Sequence, residues 1–89
     1  METIILDGAL LAERESAMDA LSRALALPDW WGRNLDALYD CLTDCETPRR
    51  LVLRNRAALE ALPFGRRLLR VLTDAARNAP SHLELVPEA

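Results

Sequence analysis

Residues 28–43 read Pro28-Asp29-Trp30-Trp31-Gly32-Arg33-Asn34-Leu35-Asp36-Ala37-Leu38-Tyr39-Asp40-Cys41-Leu42-Thr43, and the reading of this stretch decides the fold. Pro28 and Gly32 punctuate a loop, and Asn34 is a residue type that caps helices. Leu35, Leu38 and Leu42 follow at i, i+3 and i+7, so the spacing predicts a helix from Asn34 to about Thr43. On its N-terminal side lies a second helical pattern from about Glu15 to Leu25, with Met18, Leu21 and Leu25 on one stripe and Ala17, Ala20 and Ala24 filling in. The acids Glu13, Glu15 and Asp19 suit the positive end of that helix, and Pro28 ends it. Before both comes a β-prone run from Met1 to Leu6, closed by the turn pair Asp7-Gly8; a continuous apolar run suggests a strand buried on both sides or at its ends.

On the C-terminal side, the segment from Cys45 to Arg49, with Pro48, breaks the helix, and Leu51-Val52-Leu53 is a second short apolar strand. Asn55 is a candidate cap for a short helix from Arg56 to Leu62, after which Pro63-Phe64-Gly65 punctuates. Arg66 to Asn78 is helical by pattern, with Leu68, Leu69, Leu72, Ala75 and Ala76 on one stripe and arginines on the other side. His82 to Val86 alternates as a strand with one solvated face does. Helical crossovers between short apolar strands, in the order β-α-α-β-α-α-β, imply an α/β fold built on a small parallel sheet.

Eighty-nine residues leave room for one core, so residues 1–89 form a single domain that buries roughly 60–65% of its unfolded surface. With 51% hydrophobic and 28% charged residues, the chain has the composition of a globular protein rather than a disordered one. No apolar run reaches the length of a membrane span, and the N-terminus lacks a secretion signal, which predicts a cytoplasmic protein with no membrane partner. Cys41 and Cys45 lie four apart, where a bridge would restrain the unfolded chain little, so free buried thiols are expected. His82 is the sole histidine, which leaves no Cys/His metal site at full ligand count.

The net charge of −3 argues against direct nucleic-acid binding, which needs a clustered basic footprint. Its distribution is uneven. Residues 1–48 hold ten acids against three arginines, and residues 49–89 hold eight arginines against four acids. There is no lysine, a bias that base composition of the source genome can explain.

An indole in a loop serves as a core plug or as an interface anchor, and the pair Trp30-Trp31 can divide between the two roles. On the following helix Asp36 and Asp40 are i, i+4, hence about 6 Å apart on one face, with Tyr39 flanking them on the side opposite the leucine stripe. Asp44 extends the row if the helix reaches it. A solvated acidic face explains such a pattern without any function. Acid–base catalysis by Asp36 and Asp40 needs an enclosed pocket that nothing here provides. A hard cation on Asp36, Asp40 and Asp44 would find too few ligands on one helix face. No catalytic residue, metal site or cofactor is therefore expected.

The stretch Leu25-Ala26-Leu27 followed by residues 28–43 closely resembles the signature of the barstar family, intracellular inhibitors of barnase-type ribonucleases. Chain length and element order also fit, and the second half matches more weakly. The resemblance implies a three-stranded parallel sheet with helices packed on it, and an inhibitory surface made by the helix from Asn34 to about Thr43 and the loop before it. Position by position, it implies that Asp40 is the key aspartate, Asp36 its partner near the helix start, Tyr39 the aromatic between them and Trp30 the loop aromatic. It further implies that Gly32 and Asn34 present the helix, that Thr43 closes the contact set, and that Asp74 is the contacting acid of the last long helix. This chain departs from the pattern in having Trp30-Trp31 for a tyrosine pair, Tyr39 for a tryptophan, Asp74 for a longer acid and Asn78 for a further acid. The implied partner is a basic barnase-like ribonuclease or related nuclease toxin, in an antitoxin or immunity role. The alternative is a non-inhibitory interaction module that turns the same acidic face to another basic partner.

Overall fold

The computed structural model describes residues 2–44 and 48–87. In chain order they form β1 (Glu2–Asp7), α1 (Gly8–Leu11), α2 (Arg14–Ala24), α3 (Leu35–Thr43), β2 (Arg49–Arg54), α4 (Arg56–Glu60), α5 (Pro63–Asn78) and β3 (Leu83–Pro87). The strands make one parallel sheet in the order β1-β2-β3, with Ile4 opposite Leu51 and Leu51 opposite Leu85. The expected three-stranded parallel α/β fold is the one observed.

Alternation along the strands shows which side of the sheet the helices cover. Ile4, Leu6, Leu51, Leu53 and Leu83 are buried, whereas Thr3, Arg50 and Glu84 are exposed and Ile5 is 53% exposed. β1 is therefore buried on one side, and the expectation of two-sided burial is corrected: a single layer of helices cannot cover both faces. The 19 Å short dimension of the molecule matches one sheet plus one helix layer. Between the layers lies a leucine-rich core to which α2 contributes Met18 and Leu21, α3 contributes Leu38 and Leu42, and α5 contributes Leu68 and Leu72.

Three local readings change. Asp7-Gly8 is no simple turn but the start of an additional helix, because Asp7 Oδ1 accepts from the Ala9 N–H at 3.0 Å and caps α1. Gly8 is required there, since a Cβ would collide with the backbone carbonyls of Arg54 and Asn55. Asn55 does not cap α4 with its side chain; it sits at φ +54° and donates its amide to Asp7 Oδ1 at 2.7 Å, tying the end of β1 to the end of β2. The Pro63-Phe64-Gly65 trio opens α5 instead of separating it from α4, because proline's missing N–H costs nothing in a first helical turn.

Candidate functional site

The loop between α2 and α3 is held from its inner side. Trp31 is 4% exposed, and its indole N–H donates to Ser22 Oγ at 2.9 Å. Ser22 in turn donates to the Met18 carbonyl one turn back at 2.7 Å. Arg33 donates to Asp19 Oδ1 at 2.7 Å, a second tie from loop to α2. Gly32 at φ +92° and Arg33 at φ +49° are consecutive left-handed residues, a backbone path that such ties must hold in place. Asn34 accepts from the Ala37 N–H at 2.8 Å and donates to the Gly32 carbonyl at 3.2 Å, so one side chain starts the helix and fixes the turn before it.

Among the described residues the outer side shows no such ties. Trp30 is 83% exposed, so the two indoles divide: Trp31 enters the core and Trp30 faces solvent. On α3, Asp36 and Asp40 are both exposed, and neither carboxylate has a hydrogen bond or ion pair among the described residues. Asp36 lies in the first turn, where the helix dipole favours an acid, but Asp40 lies toward the C-terminal end, where the dipole opposes it, and no basic residue occupies the last turn. Asp44 falls just past the helix as its C-cap, so the row of helical acids ends at Asp40.

Tyr39 is not on the side opposite the leucines. It is half-buried against the core, because four residues after Leu35 its ring shares the edge of that stripe, and its hydroxyl accepts from the Asn78 amide of α5 at 2.7 Å. Asp74 is half-buried one turn before Asn78 on α5 and lines a hollow with Glu60, Arg66, Arg70 and Arg77, residues of α4 and α5. Thr43 is half-buried and donates to the Tyr39 carbonyl at 2.9 Å, so its hydroxyl proton is committed to its own helix. Cys41 is a free thiol packed beside the core, half-buried rather than buried; burial raises its pKa, and the charge of Asp40 adds to the rise. Cys45 lies outside the described residues. Sequence reasoning did not single out Ser22, and it named Asp19 only as an acid suiting the helix dipole and Asn78 only as a departure from the family pattern; their contacts span nine or more residues and leave no local signal.

Among the described residues no group of three His, Cys, Asp or Glu side chains is placed to hold a metal ion, and no helix is long and apolar enough to cross a membrane. Fold and surface together define a class: a small parallel α/β domain carrying an exposed acidic helix beside a pinned aromatic loop. The chain belongs to the barstar family, whose model, described as "Barstar (barnase inhibitor)", matches residues 1–86. It is also 48% identical over 56 residues to the Bacillus subtilis (strain 168) protein named "Putative ribonuclease inhibitor YrdF". That match covers 62% of this chain and 62% of the length of the relative.

Proposed function

We propose that this chain is a cytoplasmic, non-enzymatic inhibitor of a barnase-like ribonuclease, or of a related nuclease toxin, and that Asp40 enters the nuclease's phosphate-binding pocket. An enzyme that cleaves RNA gathers arginine, lysine and histidine around a phosphate, and a carboxylate accepts the same charge-assisted hydrogen bonds. The observation that carries the reading is the contrast on α3: two exposed, unpaired carboxylates stand on a helix whose start is fixed by Asn34 and whose preceding loop is tied to α2. A rigid support lets the carboxylate arrive with little conformational freedom left to lose.

The other site residues have supporting roles in this reading. Trp30 offers a large exposed ring to be covered by the partner, Asp36 flanks Asp40, and Tyr39 and Asp74 form the side toward α5. Gly32 and Asn34 shape the loop, and Thr43 closes the end of the helix. Membership of the barstar family and the printed name of the Bacillus relative both support the inhibitor role. The test is to titrate the purified chain into a barnase-type ribonuclease that is turning over RNA. Loss of cleavage at one equivalent supports the proposal; undiminished cleavage with the chain in large excess over every barnase-type enzyme tried, including one encoded beside it, overturns it.

A further inference from the structure

Two helices carry charges of opposite sign that no ion pair engages among the described residues. On α3 the row Asp36 and Asp40, followed by the capping Asp44, contains no basic residue. On α5 the exposed arginines Arg66, Arg67 and Arg70 line a shallow hollow with Pro63; Arg66 and Arg70 also border a second hollow with Glu60 and Asp74, without an ion pair to either acid. Arg33–Asp19, Arg50–Glu84 and Arg56–Glu60 are ion-paired, and none of these joins α3 to α5. Arg66 donates to the Glu60 carbonyl and Arg67 lies over the Phe64 ring, so these two side chains are steadied without their charge being neutralised.

The two rows also match in pitch. Asp36 to Asp40 and Arg66 to Arg70 are both steps of four residues, about 6 Å along a helix, so one row can be laid on the other charge to charge. In the loop that precedes the acids, Trp30 is an exposed ring of the kind that accepts a guanidinium; within this chain Phe64 already does so, with Arg14 at 5.3 Å and Arg67 at 6.0 Å from its centroid.

We propose that a second copy of this chain is a ligand of the acidic surface, with Arg66 and Arg70 of one copy set against Asp36 and Asp40 of the next and Trp30 covered in the contact. Made reciprocally, the contact closes as a two-fold dimer; made once per pair, it leaves a free row at each end and permits assemblies beyond the dimer. It goes beyond inhibition, and in an inhibitor it would keep the binding surface covered until a nuclease displaced the neighbouring copy.

The experiment is sedimentation velocity on the full chain with no nuclease present, so its outcome is independent of inhibition. Measurements are made over a concentration series at about 20 mM and about 500 mM salt, because screening at the higher value shortens the reach of surface charges to a few ångströms. The parent is expected to gain mass with concentration at low salt only. Arg66→Glu/Arg70→Glu and Asp36→Arg/Asp40→Arg are each expected to stay monomeric with unchanged circular dichroism. Combining all four changes restores the parent's net charge of −3 and exchanges the two rows, and is expected to recover association. A parent that stays monomeric at low salt overturns the proposal, as does association that either double variant retains or that the folded fourfold variant fails to recover.

Discussion

The loop from Pro28 to Asn34 and the outer face of α3 adjoin in sequence, yet they treat their polar groups in opposite ways. In the loop, the Trp31 indole, the Arg33 guanidinium and the Asn34 amide all have partners within the chain. On the α3 face, Asp36 and Asp40 share a helix side without a counter-charge among the described residues, and Asp40 also opposes the helix dipole. Folding alone favours the first arrangement and disfavours the second. The difference teaches that stability has been invested in holding this surface still, while the groups that face outward are left for something else to satisfy.

The comparison breaks most readily at Trp31. Trp31→Ala would empty a core position and remove the indole donor to Ser22, at a cost of about 3–5 kcal/mol, a large share of the stability of a domain this small. Chemical denaturation should show that loss, together with weaker inhibition wherever the variant still folds. Asp40→Ala should do the reverse. Removing a carboxylate repelled by Asp36 leaves stability unchanged or slightly higher. Binding to the nuclease should fall by about 3 kcal/mol, more than a hundredfold, because the enzyme's cations lose their buried counter-charge. Asp44→Ala, beyond the helix end, should slow association at low salt and do little at high salt. Stopped-flow association and dissociation rates separate these cases; equal losses for Asp40→Ala and Asp44→Ala, both vanishing in salt, would leave only a diffuse acidic patch.

Smaller effects sharpen the same contrast. Trp30→Ala should change stability by less than about 0.5 kcal/mol yet weaken binding by about 2 kcal/mol, since the ring is exposed in the free chain. Ser22→Ala removes the acceptor of the Trp31 indole and should cost about 1–2 kcal/mol of stability. It should relax the loop without touching any outward-facing group, so binding should weaken mainly through slower or less complete presentation of Trp30. Calorimetry of folding and of binding on both variants checks the pair.

Much of this was legible in the sequence, for physical reasons that also mark where legibility stops. Asn34, the leucines at i, i+3 and i+7, and the flanking apolar strands report local geometry, and α3 and the parallel sheet follow from them. Asp36 and Asp40 are visible because their spacing alone puts them on one face. Not legible was which indole turns inward, because that depends on Ser22 lying under the loop. Tyr39 was misplaced for a related reason: helical angle puts it at the edge of the leucine stripe, and only Asn78 of α5 decides which way it leans. The helix from Gly8 escaped because Asp7-Gly8 suits a turn equally well; Asp7 caps it locally, and the contact that holds the Asp7 side chain comes from Asn55, forty-eight residues on.

Asp7 offers the smallest and cleanest test, because it is a carboxylate of the satisfied kind. The Asn55 amide and the Ala9 N–H both donate to it, and these bonds, with help from the Arg54 charge, hold its pKa below the ordinary value against a smaller opposing effect of burial. A carboxyl whose folded pKa is depressed stabilises the fold above its unfolded pKa, and that contribution disappears as pH falls through the folded value. Asn55→Gly keeps the left-handed backbone, since glycine accepts φ +54° without strain, and removes only the largest of these contributions. Carbon-detected NMR titration of Asp7 should then show its pKa rising toward the ordinary value, and the variant's stability deficit relative to the parent should be largest at neutral pH and shrink in acid. If the deficit stays constant with pH, the Asn55–Asp7 bond does not hold the carboxylate in its charged form, and the distinction between satisfied and unsatisfied acids loses its simplest case.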